Sequence, residues 1–168
     1  MKLIVVVAPA LVLALAACGG SPAPAPVDLG PPSQASWEAG QQAYLAWNAT
    51  QRGWAVTESG LQYRRVGAAN PEGAHPGPAD TVRVHYTGTF IDGREFDSSV
   101  GGDPIEFPLN RVIAGWTEGL QLMRAGETFD FAIPGDLAYG ERWVGGDLIA
   151  PNSTLLFRVE LLTVTPAE

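Results

Sequence analysis

From residue 57 onward, apolar side chains fall on every second position in run after run, and at helical spacing only once. Leu61 and Tyr63 alternate with polar neighbours, as do Val82, Val84 and Tyr86, then Ile105, Phe107 and Leu109. Phe129, Phe131 and Ile133 repeat the pattern, and Leu155, Phe157, Val159 and Leu161 close it. A period of two turns one strand face to a core and the other to water, as in an antiparallel sheet. Asp92-Gly93 between two runs predicts a hairpin, and residues 70–80, rich in proline and glycine, predict a loop. Val112, Trp116, Leu120 and Met123 share one helical face, with Gly126 as the stop. One short helix against a five- to six-stranded antiparallel sheet is an α+β domain.

The region before residue 57 has a different character. Met1-Lys2 precedes an apolar run, residues 3–17, broken only by Pro9. A membrane span needs roughly 20 apolar residues, so this run is too short to cross and has the form of a secretory signal. Residues 19–32 read Ser-Pro-Ala-Pro-Ala-Pro and similar, an extended semi-rigid spacer or plain disorder. Ser36 is the expected cap of a short helix bearing Trp37, Ala43, Tyr44 and Trp47, ending near Asn48 and Gly53. The organisation expected is a signal peptide over 1–17, a modified cysteine and tether over 18–34, a helix over 35–56 and the main domain over 57–166.

Composition narrows the function. The net charge of −8 leaves no basic stripe for nucleic acid. Cys18 is the one cysteine, so neither an internal disulfide nor a cysteine-based zinc site is available. Its setting, Leu15-Ala16-Ala17-Cys18, resembles the lipobox of bacterial lipoproteins, in which the cysteine becomes the acylated first residue. The alternatives are an ordinary signal peptide that contains a cysteine, or a buried core helix. Gly19 rather than aspartate after the cysteine implies, by the same resemblance, sorting to the outer membrane on its periplasmic side. Acyl chains contribute roughly 0.8 kcal/mol per buried CH₂, so several on one cysteine give a firm anchor.

Five segments point to a site: Val84-His85-Tyr86-Thr87-Gly88, Phe96-Asp97-Ser98-Ser99, Val112-Ile113-Ala114-Gly115-Trp116, Leu137-Ala138-Tyr139-Gly140 and Phe157-Arg158-Val159-Glu160. They are aromatic and aliphatic, and bring no obvious nucleophile, metal cage or phosphate cradle. In this order they resemble the FK506-binding-protein (FKBP) family of peptidyl-prolyl cis-trans isomerases over about residues 57–164. Gly115-Trp116-Thr117-Glu118, Leu120-Gln121-Leu122-Met123 and Val144-Gly145-Gly146 before Pro151-Asn152 resemble its macrophage-infectivity-potentiator branch. Tyr44 to Asn48 and Ser59 to Tyr63 resemble the end of that branch's connecting helix. Those relatives carry longer dimerisation helices upstream, and a monomer is expected here.

The resemblance implies a pocket for a prolyl ring. Trp116 would be its floor, with Tyr86, Phe96, Val112, Ile113, Ile149 and Phe157 as walls and Ile105 and Ala138 among the substrate-binding positions. The backbone N–H of Ile113 and the hydroxyl of Tyr139 would hold substrate carbonyls, and Asp97 would be the polar wall residue. Tyr86, Phe96, Asp97, Tyr139 and Phe157 form the expected catalytic set. On periodicity alone most of these apolar positions read as core, and a turn-capping carboxylate is the alternative for Asp97. Val100-Gly101-Gly102-Asp103 lacks the arginine that pairs with this aspartate in single-domain relatives, and the phenylalanine those relatives have near Ile105 is missing. Trp143, in a loop longer by about one residue, either covers substrate or packs aside. His75 and His85 are placed away from the site.

No cofactor or metal is expected. Implied partners are proline-containing unfolded or newly exported polypeptides, an FK506- or rapamycin-type macrolide, and a membrane through the lipid anchor. A binding or chaperone module with little catalysis uses the same pocket and remains an alternative, as does a structural lipoprotein.

Overall fold

The computed structural model describes residues 33–167, so the apolar leader, Cys18 and the tether up to residue 32 lie outside the described part. Helix α1 spans Gln34–Asn48 and β1 Ala55–Val56. Then come β2 (Gln62–Val66), β3 (Thr81–Phe90), β4 (Glu95–Ser98) and β5 (Ile105–Pro108). Helix α2 (Ala114–Leu120), β6 (Thr128–Ile133) and β7 (Leu155–Thr165) complete the fold. All strand pairs are antiparallel, in the order β1-β2-β6-β7-β3-β4, with β5 also paired to β3. The sheet has seven strands where five or six were expected. The added one is two-residue β1, too short for a period to register.

The expected alternation places the inner face correctly. Leu61, Val82, Val84, Phe129, Phe131, Ile133, Leu155, Phe157, Val159 and Leu161 are all buried in one cluster with Trp116, Leu120 and Met123. Helix α2 lies against β6 through two glycines one turn apart. A methyl at Gly115 would meet Ile133 Cγ2 at 2.4 Å, and one at Gly119 would meet Phe131 Cε1 at 2.8 Å. The helix is shorter than the apolar spacing over 112–123 predicts, because Leu122 and Met123 continue it only as turns bonded to Gly119 and Leu120.

The hairpin forms at Asp92-Gly93: the Gly93 N–H donates to the Phe90 carbonyl, the Phe90 N–H donates to that of Arg94, and Gly93 has φ +86°. Strand β6 departs from alternation, since Asp130 and Ala132 on its second face are buried too. That face is covered by α1. Its N-cap is Ser33, not Ser36; the two serines cap each other reciprocally, Ser36 N–H to Ser33 Oγ at 3.1 Å and Ser33 N–H to Ser36 Oγ at 2.9 Å. The buried stripe is Gln41, Leu45 and Asn48, while Trp37, Tyr44 and Trp47 are half-buried and Ala43 is exposed.

Buried amides at these positions are stable only if paired, and both are. Asn48 donates to Gln62 Oε1 at 2.8 Å, Gln62 donates to the Leu45 carbonyl at 2.8 Å, and Gln41 accepts the Thr154 N–H at 2.9 Å. The first turn of α1 is clamped to one loop, through Trp37 Nε1 to the Pro151 carbonyl and Asn152 Nδ2 to Glu38 Oε1.

Candidate active site

Strand β4 makes the wall by breaking register. Gly88 of β3 pairs with Asp97, but Thr89 pairs with Glu95, so Phe96 is one residue extra. Successive strand residues normally point to opposite faces; this bulge turns both Phe96 and Asp97 toward the same cavity. Gly88 provides the room. A methyl there would sit 2.6 Å from Phe96 Cζ and 2.9 Å from Phe157 Cε1.

The floor is Trp116, which is 6% exposed. Its ring meets Tyr86 and Phe157 edge-on, each at 5.2 Å and 84°, and Phe107 at 5.4 Å. Phe96 meets Phe157 edge-on at 5.6 Å, and Phe90 lies 5.0 Å behind it. Each such pair contributes about 0.5–1.5 kcal/mol beyond area burial, so the aromatic box is stiff without ligand. The cavity, of about 580 Å³, is lined by the rings of Tyr86, Phe96, Phe107, Trp116 and Phe157 with Ile105, Val112, Ile113, Ala114, Ala138, Tyr139, Asp97 and two arginines.

Polar groups are few and specifically placed. The Tyr86 hydroxyl donates to Asp97 Oδ2, which orients the carboxylate without the arginine of the single-domain relatives. Burial, this hydrogen bond and the Asp97 charge all push the Tyr86 hydroxyl well above the ordinary tyrosine range. Ile113 ends the approach to α2: its carbonyl accepts from the Trp116 and Thr117 N–H groups, while its own N–H has no backbone partner among the described residues. Tyr139 is tied through its carbonyl to Arg142 Nε at 3.2 Å, and its hydroxyl is left unpartnered among the described residues. Gly140 anchors that loop, donating to the Gly135 carbonyl and accepting the Asn152 N–H at 2.7 Å. The Trp116 Nε1–H is buried and also unpartnered among the described residues.

The structure therefore brings together Tyr86, Phe96, Asp97, Tyr139 and Phe157 with Ile105, Val112, Ile113, Trp116 and Ala138. Ile149 is not with them. It is buried in the core cluster that also holds Trp116 and Phe157, forms an isolated bridge with Val144, and is not among the residues lining the cavity. The wall near Ile105 is not short of an aromatic ring: Phe107, two residues on and so on the same strand face, lines it. Period-two reasoning could have supplied that residue. Arg111 and Arg142 were missed as well, because an exposed loop arginine carries no sequence signal of where it points. Trp143 is 58% exposed and does not line the cavity. His85 faces Ser99 Oγ at 3.2 Å, away from the site.

A second hollow of about 370 Å³ lies on the outer sheet face between Tyr44, Trp54 and Arg158. Its charged floor is already paired, Asp130 with Arg158 and Arg64, so the inner cavity is the better candidate.

The geometry suits an apolar group with one or two carbonyls facing the rim donors. Residues 72–162 match the family model described as FKBP-type peptidyl-prolyl cis-trans isomerase. The chain is 51% identical to the outer membrane protein MIP of Legionella longbeachae, over 74% of this chain and 53% of that protein. It is 54% identical to the FKBP-type 22 kDa peptidyl-prolyl cis-trans isomerase of Escherichia coli (strain K12), over 72% of this chain and 58% of the relative. The crystal structure of FkpA from Escherichia coli superposes with a TM-score of 0.74 at 46% identity, covering 80% of this chain and 62% of that one. The chain thus spans about half the length of the curated relatives it matches.

Proposed function

Since the chain belongs to the FKBP-type peptidyl-prolyl cis-trans isomerases, we propose that it catalyses rotation about Xaa-Pro bonds in its aromatic cavity. The observation that carries this reading is the box of Tyr86, Phe96, Trp116 and Phe157 with two donors at its rim, Ile113 N–H and Tyr139 Oη–H, that have no partner among the described residues.

Uncatalysed rotation takes on the order of 10–100 s, against a barrier of about 20 kcal/mol. The barrier is amide resonance, in which nitrogen donates into the carbonyl. The twisted transition state has lost that charge separation, so it is less polar than the planar amide. A cavity walled by aromatic rings favours it relative to water, and binding that improves as the amide twists is what accelerates the step. The prolyl ring rests on Trp116, while Ile113 and Tyr139 hold the flanking carbonyls so that rotation is confined to one bond. Asp97, oriented by Tyr86, presents its free oxygen to the carbonyl that turns. No proton need change place.

Isomerisation of an Xaa-Pro peptide, followed by proton exchange spectroscopy with and without protein, tests this reading. Catalysis predicts exchange accelerated at substoichiometric protein. Binding without acceleration would make the domain a chaperone or tethering module instead.

The setting we propose is the cell envelope, with Cys18 acylated after removal of residues 1–17 and the proline-rich tether lifting the domain toward newly exported polypeptides. The lipobox-like Leu15-Ala16-Ala17-Cys18 supports it, as does a relative named an outer membrane protein. An FK506- or rapamycin-type macrolide would compete for the same cavity. Cys18→Ser should move the protein from membrane to soluble fractions with the domain intact; a variant still sedimenting after a high-salt wash would overturn the anchor.

A further inference from the structure

We propose that Arg111 and Arg142 make the cavity select prolyl segments carrying an acidic side chain next to the proline. This rests on the isomerase reading and adds to it the class of client.

Five of the nine arginines of the described part are engaged. Arg64 and Arg158 pair with Asp130, Arg65 with Glu127 and Arg94 with Asp92, while Arg124 donates to the Gly73 carbonyl. Arg52 and Arg83 have no carboxylate partner among the described residues either, but they do not line the cavity; Arg111 and Arg142 combine two features. Both line the cavity, and neither has a carboxylate within 4.0 Å among the described residues. Asp97, the remaining ionisable carboxyl of the lining, is held by the Tyr86 hydroxyl.

Arg142 makes one further contact. Its Nε donates to the Tyr139 carbonyl at 3.2 Å, and its terminal nitrogens have no hydrogen-bond partner among the described residues, beside Tyr139 at the cavity rim. A guanidinium so placed matches a carboxylate with two parallel donors. The chain as a whole carries −8, a field that at long range favours cationic clients. Salt confines that field to about 10 Å at 0.1 M. Selection in contact is then decided by the groups lining the cavity, where two arginines face one engaged aspartate.

The test uses the full chain and peptides with neutral end caps, so that no terminal charge imitates a side chain. In one series the residue before proline is Glu, Gln or Lys; in a second, the residue after it. The inference expects kcat/KM for Glu to exceed that for Lys by about three- to fivefold in one of the two series, the scale of an exposed ion pair. The ratio should shrink in 0.5 M salt. Arg111→Gln together with Arg142→Gln should bring it close to one, and Arg142→Lys should restore only part. Because the readout is a ratio, a general loss of rate or of folded protein does not imitate the result. A Glu-to-Lys ratio near one in both series, with the Gln peptides accelerated, overturns the inference and leaves the isomerase reading standing. So does a preference that survives the double substitution. If no peptide is accelerated, the isomerase reading itself falls, and this one with it.

Discussion

A methyl group at position 88 would lie inside the contact distance of two rings at once, Phe96 and Phe157. Gly88→Ala should therefore fold with the Phe96 ring displaced into the cavity, at a cost of about 1–3 kcal/mol for an overpacked site. Its KM should rise while the far-ultraviolet circular dichroism stays native; an unchanged KM would show that Phe96 is not a working wall. Tyr139→Phe deletes one hydroxyl, worth roughly 0.5–1.5 kcal/mol, so kcat/KM should fall up to about tenfold. Phe157→Ala opens the box to water and costs about 3–5 kcal/mol of stability, so its rate is read only on the fraction shown to be folded. Undiminished rates in both variants would place the chemistry elsewhere. The pH response should be plain: efficiency flat from about pH 5.5 to 8.5, where proton transfer would give a slope or a bell. Tyr86, whose hydroxyl is held above its ordinary range, donates to Asp97 throughout that window. Its raised value means that its contribution to stability is complete below about pH 10 and declines as pH climbs beyond. Tyr86→Phe should remove that alkaline decline, as thermal unfolding at pH 9 and 11 would show.

At the scale of elements, the outer face of the sheet carries a cross-strand row, Arg64, Asp130 and Arg158, on β2, β6 and β7. Burial alone would raise the Asp130 carboxyl, but hydrogen bonds from Arg158 and Arg64 and their charges outweigh it and hold the group below the ordinary aspartate value. Such a group stabilises above its unfolded value of about 3.9 and ceases to do so as pH falls through its folded value. Asp130→Asn should cost about 1 kcal/mol at pH 7, a figure kept small because both arginines are partly in water, Arg64 39% and Arg158 61% exposed. The difference from the native chain should shrink steadily in urea titrations below pH 4. The elements also show where sequence was legible. Inner-face strands could be read because burial there is purely apolar and the period is two. Helix α1 could be located, but its stripe could not: Gln41 and Asn48 are polar residues buried by their hydrogen bonds, and hydropathy points instead to Ala43. The bulge that turns Phe96 and Asp97 the same way leaves no mark on alternation, so those two were found by resemblance. Ile149, named by the same route, is buried in the core cluster and is not among the residues lining the cavity.

For the molecule as a whole, α1 is part of the domain rather than a lead-in to it. It covers the second face of β6, buries Leu45 and satisfies the Thr154 N–H through Gln41. Removing residues 33–48 should lower stability by on the order of 2 kcal/mol from Leu45 alone, and expose Ala132 to water. Guanidinium unfolding of the shortened chain would reveal it, and a native midpoint would mean the helix is only a spacer. The clamp also has a mechanical reading. A pull transmitted along the chain ahead of Ser33 first meets Trp37 on Pro151 and Glu38 on Asn152; Asn152 in turn holds Gly140, the neighbour of Tyr139. Drag on a polypeptide caught in the cavity would arrive at the same loop from the other side. With the tether and client proposed above, both pulls would meet at this loop, a few bonds wide.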